Sequence, residues 1–146
     1  MGMPSAGPIA DNAEGASWKK FVDGYKAAYK DGFPSPSLFA HGYYIEAKAL
    51  LAALDKVNGD VSGDQAKLRD ALAHLDLDTP TGKVSLDKNR QAIADIYLTE
   101  VAKADDGHLY NKVIKVIPAV NQTLGIPEAD FLKVGVANRD NPSSAF

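Results

Sequence analysis

Residues 77–87, LDTPTGKVSLD, and residues 92–101, AIADIYLTEV, mark a change of periodicity in this chain. Up to Leu75, apolar residues recur every three or four positions, as on one face of a helix. Residues 79–82, Thr-Pro-Thr-Gly, then have the residue types of a turn. Beyond them, short apolar runs are separated by polar turns, which is typical of strands. The sequence therefore predicts helices followed by strands in one compact unit.

Three helices are predicted before this change, because each segment repeats apolar residues at helical spacing. The first begins with Ser17 as its N-cap and stops at Gly32. The second follows residues 38–40, interpreted as a short strand, and ends at residues 58–59. The third begins with the capping box of residues 62–65. The predicted buried stripes are Trp18, Phe21, Val22, Tyr25, Ala28 and Tyr29; Tyr43, Ala47, Leu50, Leu51 and Leu54; and Leu68, Ala71, Leu72 and Leu75.

The second half of the chain predicts a β-hairpin. Residues 83–86 form a short strand, and residues 87–90 form a polar turn. Residues 93–101 are apolar on both faces, as in a covered strand, and residues 109–117 return as their partner around the turn at 105–107. These patterns alone predict a small α+β domain, with three helices followed by a β-hairpin.

Composition limits the class of protein. The 146 residues suit one domain, and 45% hydrophobic with 24% charged residues is typical of a soluble globular chain. A net charge of -3 argues against nucleic acid as a partner. There is no cysteine, so neither a disulfide nor a thiolate site can form. Residues 1–12 are predicted to be extended or looped, and residues 1–10 lack the basic start and apolar core of a signal peptide. Residues 139–146 are predicted to be an irregular end.

The sequence offers no assembled catalytic or metal site. His74 and His108 are interpreted as solvated surface residues, because neither has a second ligand at metal-binding spacing. Residues 105–106, two aspartates beside a glycine, are turn chemistry. Phosphate-binding and nucleophile-elbow sequences are absent. We therefore expect no catalytic residue, no metal and no cofactor.

His41 is the histidine with an open interpretation. It lies between Phe39 and Tyr43, in the link between the short predicted strand and the second helix. An aromatic setting suits the lining of a pocket, whereas a position before a helix suits local capping. The residues alone leave both roles open.

Several segments of the chain, taken in order, resemble segments of a known protein family. They include the aromatic helix WKKFVDGY at 18–25, the His-Gly-Tyr entry into the second helix, and the Leu-Arg-Asp-Ala-Leu helix. The set resembles type I periplasmic substrate-binding proteins of ABC transporters, the branched-chain amino acid and aromatic-acid binding proteins. The similar segments are residues 18–25, 41–43, 68–72, 78–84, 89–95, 120–125 and 139–142.

The resemblance implies a fold of two α/β lobes joined by three crossovers, with ligand in the cleft between them. On that plan, residues 1–36 and about 92–146 are segments of the second lobe, and residues from about 38 to 90 belong to the first lobe. The chain then corresponds to the C-terminal portion of such a protein. The resemblance also implies a periplasmic or extracellular location, although this chain has no signal peptide.

The resemblance implies a binding protein rather than an enzyme. Its ligand is a small carboxylate-bearing molecule, an aromatic acid or a branched-chain amino acid. A serine hydroxyl, backbone N–H groups and an aromatic wall suit such a ligand, although Tyr43 also suits a helix-anchoring core position. The residues implied to bind ligand are Ser5, Ala6, Gly7, Phe39, His41 and Tyr43.

The implied partners are a membrane permease and either the missing N-terminal portion or another copy of the chain, because apolar strand edges need partners. Two alternatives stay open. One is a ligand-sensing regulatory domain of the same fold. The other is a non-catalytic α+β module that oligomerises through its hairpin.

Overall fold

The computed structural model describes residues 1–141, which form an α/β unit in which the helices lie mostly before the sheet. The predicted order of three helices followed by a hairpin is confirmed, and three elements are added to it: a first strand, the strand of a second hairpin and a last helix. The elements are β1 (Pro4–Gly7), α1 (Ala16–Ala28), α2 (Leu38–Lys56), a 3-10 turn (Gly63–Gln65), α3 (Ala66–Ala73), β2 (Asp76–Thr79), β3 (Gly82–Leu86), β4 (Ala92–Lys103), β5 (Leu109–Val120) and α4 (Glu128–Val134). The irregular end predicted at 139–146 lies mostly outside the described residues.

Strand β4 organises the sheet, and all pairings are antiparallel. Its middle pairs with β1, from Pro4 opposite Glu100 to Gly7 opposite Tyr97. The same stretch of β4 pairs with β5 on its other edge. Its first residues pair with β3, which forms a tight hairpin with β2 around Pro80 and Thr81. The amino-terminal arm is therefore part of the sheet rather than a free loop.

The start of α2 corrects the strand predicted at residues 38–40. Helix α2 begins at Leu38, and the Ser37 hydroxyl caps it by accepting a hydrogen bond from the Ala40 amide at 3.2 Å. A serine directly after a proline favours this start, because the proline ends the preceding connector and the hydroxyl satisfies a free helical N–H. His41 consequently lies in the first turn of a helix and not in a link before it.

Two other predicted helix starts are wrong in detail. Helix α1 begins after Gly15, with no side-chain cap from Ser17. The Ser62 side chain bonds Asp60 instead of capping α3, and Asp64 and Gln65 adopt left-handed φ values of 55° and 59°. The capping box fails because residues 63–65 form a 3-10 turn, which displaces the helix start to Ala66. The end of α2 matches its prediction, with the Gly59 amide bonded to the Leu54 carbonyl at 2.8 Å.

Two small hydrophobic clusters form the core. One joins the chain after β1 to α1 and β4, and its buried members are Ala10, Ala13, Trp18 and Tyr97. The other joins α2 to α3, and its buried members are Ala53, Leu68 and Ala71. The first cluster is made by residues 9–22, 97 and 113, and the second by residues 53–72.

Most of the stripe predicted to be buried on α2 is exposed, so the prediction is wrong for Tyr43, Ala47, Leu50 and Leu51, whereas Leu54 is half-buried and packs against α3. Leu51 is 66% exposed and Tyr43 is 70% exposed, while His41 and Ala53 are the buried residues of this helix. The spacing of the stripe is helical, but α3 covers a different side. The accessible surface of 10427 Å² exceeds the roughly 7,200 Å² expected of a compact monomer of this mass. The chain thus leaves apolar surface uncovered along α2.

Candidate functional site

A cleft of about 1030 Å³ lies between α1, α2 and the β2–β3 turn, and we call it the aromatic cleft. Helix α1 forms one wall, the first three turns of α2 form the other, and the turn closes one end. The lining residues are Ser17, Lys20, Phe21, Gly24, Tyr25, Ala28, Tyr29, Gly32, Phe33, Ala40, Tyr43, Tyr44, Lys48, Asp78, Thr79 and Pro80.

Aromatic rings supply much of the lining. The rings of Tyr25, on α1, and of Tyr29, the residue directly after this helix, have centroids 5.2 Å apart. The Phe21 ring bridges the two walls, with its centroid 4.9 Å from that of Tyr44 on α2. These separations are those of favourable tilted ring pairs. The cleft therefore presents flat apolar faces whose phenol hydroxyls can still reach water or a ligand.

The charged groups of the aromatic cleft are two lysines and one aspartate. The Lys48 ammonium donates a hydrogen bond to the backbone carbonyl of Asp78 at 2.5 Å, which ties α2 to the β2–β3 hairpin. The Asp78 carboxylate is paired with Lys83, at 3.3 Å. The carboxylates of Asp76 and Asp78 raise the pKa of Lys83, so this pairing holds at neutral pH. The lining residues of the cleft therefore carry a net positive charge.

His41 supports the aromatic cleft from behind. It is only 2% exposed, and it lies edge-on to the rings of Trp18 and Phe21, at centroid distances of 6.1 and 5.9 Å. Its Nε2 is hydrogen-bonded to the Thr81 hydroxyl at 3.0 Å. The Tyr97 hydroxyl in turn donates to the Thr81 carbonyl at 3.4 Å. This group of side chains fixes α1, α2 and the β2–β3 turn relative to one another.

Burial lowers the pKa of His41, so the imidazole is neutral at neutral pH. A neutral ring has one N–H donor and one acceptor nitrogen, and the Thr81 hydroxyl can satisfy Nε2 in either tautomer. His41 is thus a positioning residue between the walls, and it is not among the residues that line the cleft.

The structure separates the residues implied to bind ligand. Ser5, Ala6 and Gly7 lie in β1, opposite Thr99, Leu98 and Tyr97, away from the lining of the aromatic cleft. Phe39 is 74% exposed on α2 but does not line the cleft. Tyr43 does line it. A ligand role for these six residues stays a prediction, and Tyr43 is the member that this cleft supports.

Sequence reasoning missed several lining residues. Tyr25 and Tyr29 were assigned to a buried stripe because their spacing is helical, yet Tyr29 is exposed on the cleft side of α1. Tyr44 and Lys48 are one turn apart on α2 and share a face, a spacing that the sequence does display. The repeated Tyr-x3-Tyr on one helix and Tyr-x3-Lys on the next is the signal that could have found them.

Residues 1–141 contain no helix with both the length and the apolar character that crossing a bilayer requires. In the same part of the chain, no three His, Asp or Glu side chains are grouped so that they could hold a metal ion.

The fold and the sequence together define the class of protein. Residues 2–107 match the family model described as periplasmic binding protein, so the chain belongs to that family and the resemblance in sequence is confirmed. The Leu/Ile/Val-binding protein homolog 6 of Brucella abortus (strain 2308) is 35% identical over 99 residues, which is 66% of this chain and 24% of that protein.

Solved structures agree with this assignment. A solute-binding protein of an ABC transporter from Rhodopseudomonas palustris BisB5, in complex with 3,4-dihydroxybenzoic acid, matches 83% of this chain and 32% of its own, with a TM-score of 0.73 and 30% identity. An ABC transporter substrate-binding protein from Sphaerobacter thermophilus shares the fold, with a TM-score of 0.75 and 23% identity over 82% of this chain and 32% of its own. The chain therefore spans about a quarter to a third of the length of these relatives.

Proposed function

We propose that this chain is part of the solute-binding component of an ABC transporter and that it helps to capture a small carboxylate-bearing ligand in an interlobe cleft. The relatives support two ligand classes, since one is named for leucine, isoleucine and valine and another holds an aromatic acid. Capture and release need no bond making, so the proposed role is non-enzymatic.

The observation that carries the proposal is that the two walls of the aromatic cleft come from two different segments of the chain. Helix α1 belongs to the segment assigned to the second lobe, and α2 belongs to the segment assigned to the first. The two hydrophobic clusters are divided in the same way, since residues 9–22, 97 and 113 form one and residues 53–72 the other. The buried His41 group joins these two segments, so the aromatic cleft lies where the two assigned lobe segments meet.

The proposed partners follow from the same assignment. A membrane permease would receive the closed form, in the periplasm or at the cell surface. The remaining part of the first lobe would cover the exposed leucines of α2 that lie outside the aromatic cleft, Leu50 and Leu51. The whole chain exposes about 3,200 Å² more than a compact monomer of its mass, against the roughly 800 Å² that one partner buries in an ordinary interface. A substantial part of a fold is a better match for that surface than a single small contact.

Binding by the chain itself tests the proposal, because both walls of the aromatic cleft lie within its 146 residues. Isothermal titration with benzoate, 4-hydroxybenzoate, leucine and valine is expected to give saturable 1:1 binding for at least one of them. Tyr43→Ala should weaken that binding, while Tyr110→Ala, a control on β5 outside the cleft, should leave it unchanged. No binding tighter than about 10 mM by any of the four would overturn the assignment of this cleft.

A further inference from the structure

We infer that the aromatic cleft selects aromatic monocarboxylates over α-amino acids. The inference rests on the proposed function and narrows its ligand class. It follows from three features of the described lining residues: an excess of cations, a carboxylate (Asp78) that is already paired with Lys83, and ring faces next to an open space on α1.

The charges of the aromatic cleft suit an anion. Lys20 and Lys48 line it from opposite walls, and neither ammonium is in an ion pair with any of residues 1–141. The Lys48 ammonium uses one of its three N–H donors on the Asp78 carbonyl, which leaves two for a ligand. That bond also holds the ammonium at the end of the cleft, so a carboxylate would meet a positioned cation.

The same charges do not suit an α-amino acid. Its ammonium group needs a carboxylate or several carbonyl acceptors when it leaves water. Asp78 is the acidic residue among the lining residues, and its carboxylate is already paired with Lys83. A ligand without an ammonium group therefore loses less hydration on entering the cleft.

The ring faces and the open space suit a flat ligand. Tyr25 and Tyr29 lie on one wall, and Tyr43 and Tyr44 on the other. Gly24 on α1 also lines the cleft, and a Cβ at this position would meet no heavy atom within 4 Å. A glycine on the cleft side of the helix leaves a shallow place in which an aromatic ring can lie against the neighbouring tyrosines. Ring–ring contact favours an aromatic ligand over a saturated one of the same size.

A ligand panel on the 146-residue chain tests the selectivity. Titration calorimetry compares benzoate with leucine and with cyclohexanecarboxylate, which keeps the size and the charge but lacks the aromatic face. We expect benzoate to bind at least about tenfold tighter than leucine, because leucine leaves a charged group without a partner. It should bind about 2- to 10-fold tighter than cyclohexanecarboxylate.

Two variants test the residues that carry the inference. Lys48→Met should weaken benzoate binding about 10- to 100-fold, because it removes a charge-assisted hydrogen bond to the ligand. Lys56→Met, at the far end of the same helix, should leave benzoate binding unchanged. Gly24→Leu should fill the open space and abolish binding, although leucine favours a helix more than glycine does. Ala27→Leu on the exposed side of α1 is its matched control. Circular dichroism and a thermal melt verify that each variant is folded.

The outcomes separate this inference from the proposed function. Leucine binding as tightly as benzoate, or wild-type benzoate affinity in both Lys48→Met and Gly24→Leu, would overturn the selectivity while leaving a solute-binding role intact. Binding of none of the three ligands would overturn both.

Discussion

Replacing Thr81 with valine isolates the hydrogen bond that joins helix α2, one wall of the cleft, to the β2–β3 turn. Valine keeps the shape of threonine and removes only the hydroxyl that bonds His41 Nε2 at 3.0 Å. The backbone of residue 81 is unchanged, so the Tyr97 hydroxyl can still donate to its carbonyl. The substitution therefore leaves one buried nitrogen of His41 without a partner.

The size of the effect follows from that burial. His41 is 2% exposed and Thr81 is 8% exposed, so water cannot readily replace the lost hydroxyl. Leaving a buried polar group unpaired costs about 1–3 kcal/mol. At about 2–4 °C per kcal/mol for a chain of this size, the melting temperature should fall by about 2–12 °C.

Thermal and urea unfolding of three variants measure this cost. Thr81→Ser keeps the hydroxyl and should lose less stability than Thr81→Val. The double variant His41→Leu with Thr81→Val replaces both partners by apolar groups and should recover part of the loss, since no polar group is then left unpaired. A Thr81→Val protein as stable as wild type, within about 0.5 kcal/mol, would refute the view that this bond stabilises the contact between α2 and the β2–β3 turn.

Three further predictions concern stability. Burial lowers the pKa of His41 in the folded state, so the unfolded chain takes up a proton first as the pH falls. The urea midpoint should therefore be level above about pH 6.5 and decrease below it. His41→Gln should flatten this slope. Gly82→Ala should lower the free energy of unfolding by about 1–3 kcal/mol, since φ is +118° and the new Cβ would lie 2.9 Å from the Asp95 carboxylate; an unchanged midpoint would contradict this. Ala53→Leu, at a site with 0% exposure, should lower the free energy of unfolding by about 1–3 kcal/mol, because it overpacks the α2–α3 cluster. Leu51→Ala, on the exposed side of α2, should change the urea midpoint little. A reversed ranking of the two variants in urea melts would reject the assigned faces of the helix.

The fold was predictable where one signal dominated. The hairpin of β4 and β5 follows from two apolar runs around an Asp-Asp-Gly turn, and the structure places strands at Ala92–Lys103 and Leu109–Val120. Strand β2 was missed because Asp76–Thr79 holds a single apolar residue, Leu77, and becomes a strand only by pairing with β3. Strand β1 was missed for the same reason, since its pairing partner is 90 or more positions away in the chain.

The site was less predictable than the fold. Helical spacing showed that the aromatic residues of α1 share a face, but spacing does not say whether that face meets a core or a cleft. Tyr29 and Tyr43 were both assigned to buried stripes, and both are exposed. His41 was placed in a link, and its burial depends on contacts with Trp18 and Thr81 that no local pattern encodes. Tertiary packing decided each of these positions.

The position of β4 between β1 and β5 has a consequence for hydrogen exchange. Along residues 97–100, successive amides point alternately toward the two neighbouring strands. Strand β1 is a four-residue edge strand, whereas β5 pairs with β4 from Ala94 to Lys103 and follows it directly in the chain. Short edge strands open more readily than long paired ones. Protection should therefore alternate residue by residue along one strand, and the amino-terminal arm can detach and rebind while the β4–β5 ribbon stays closed.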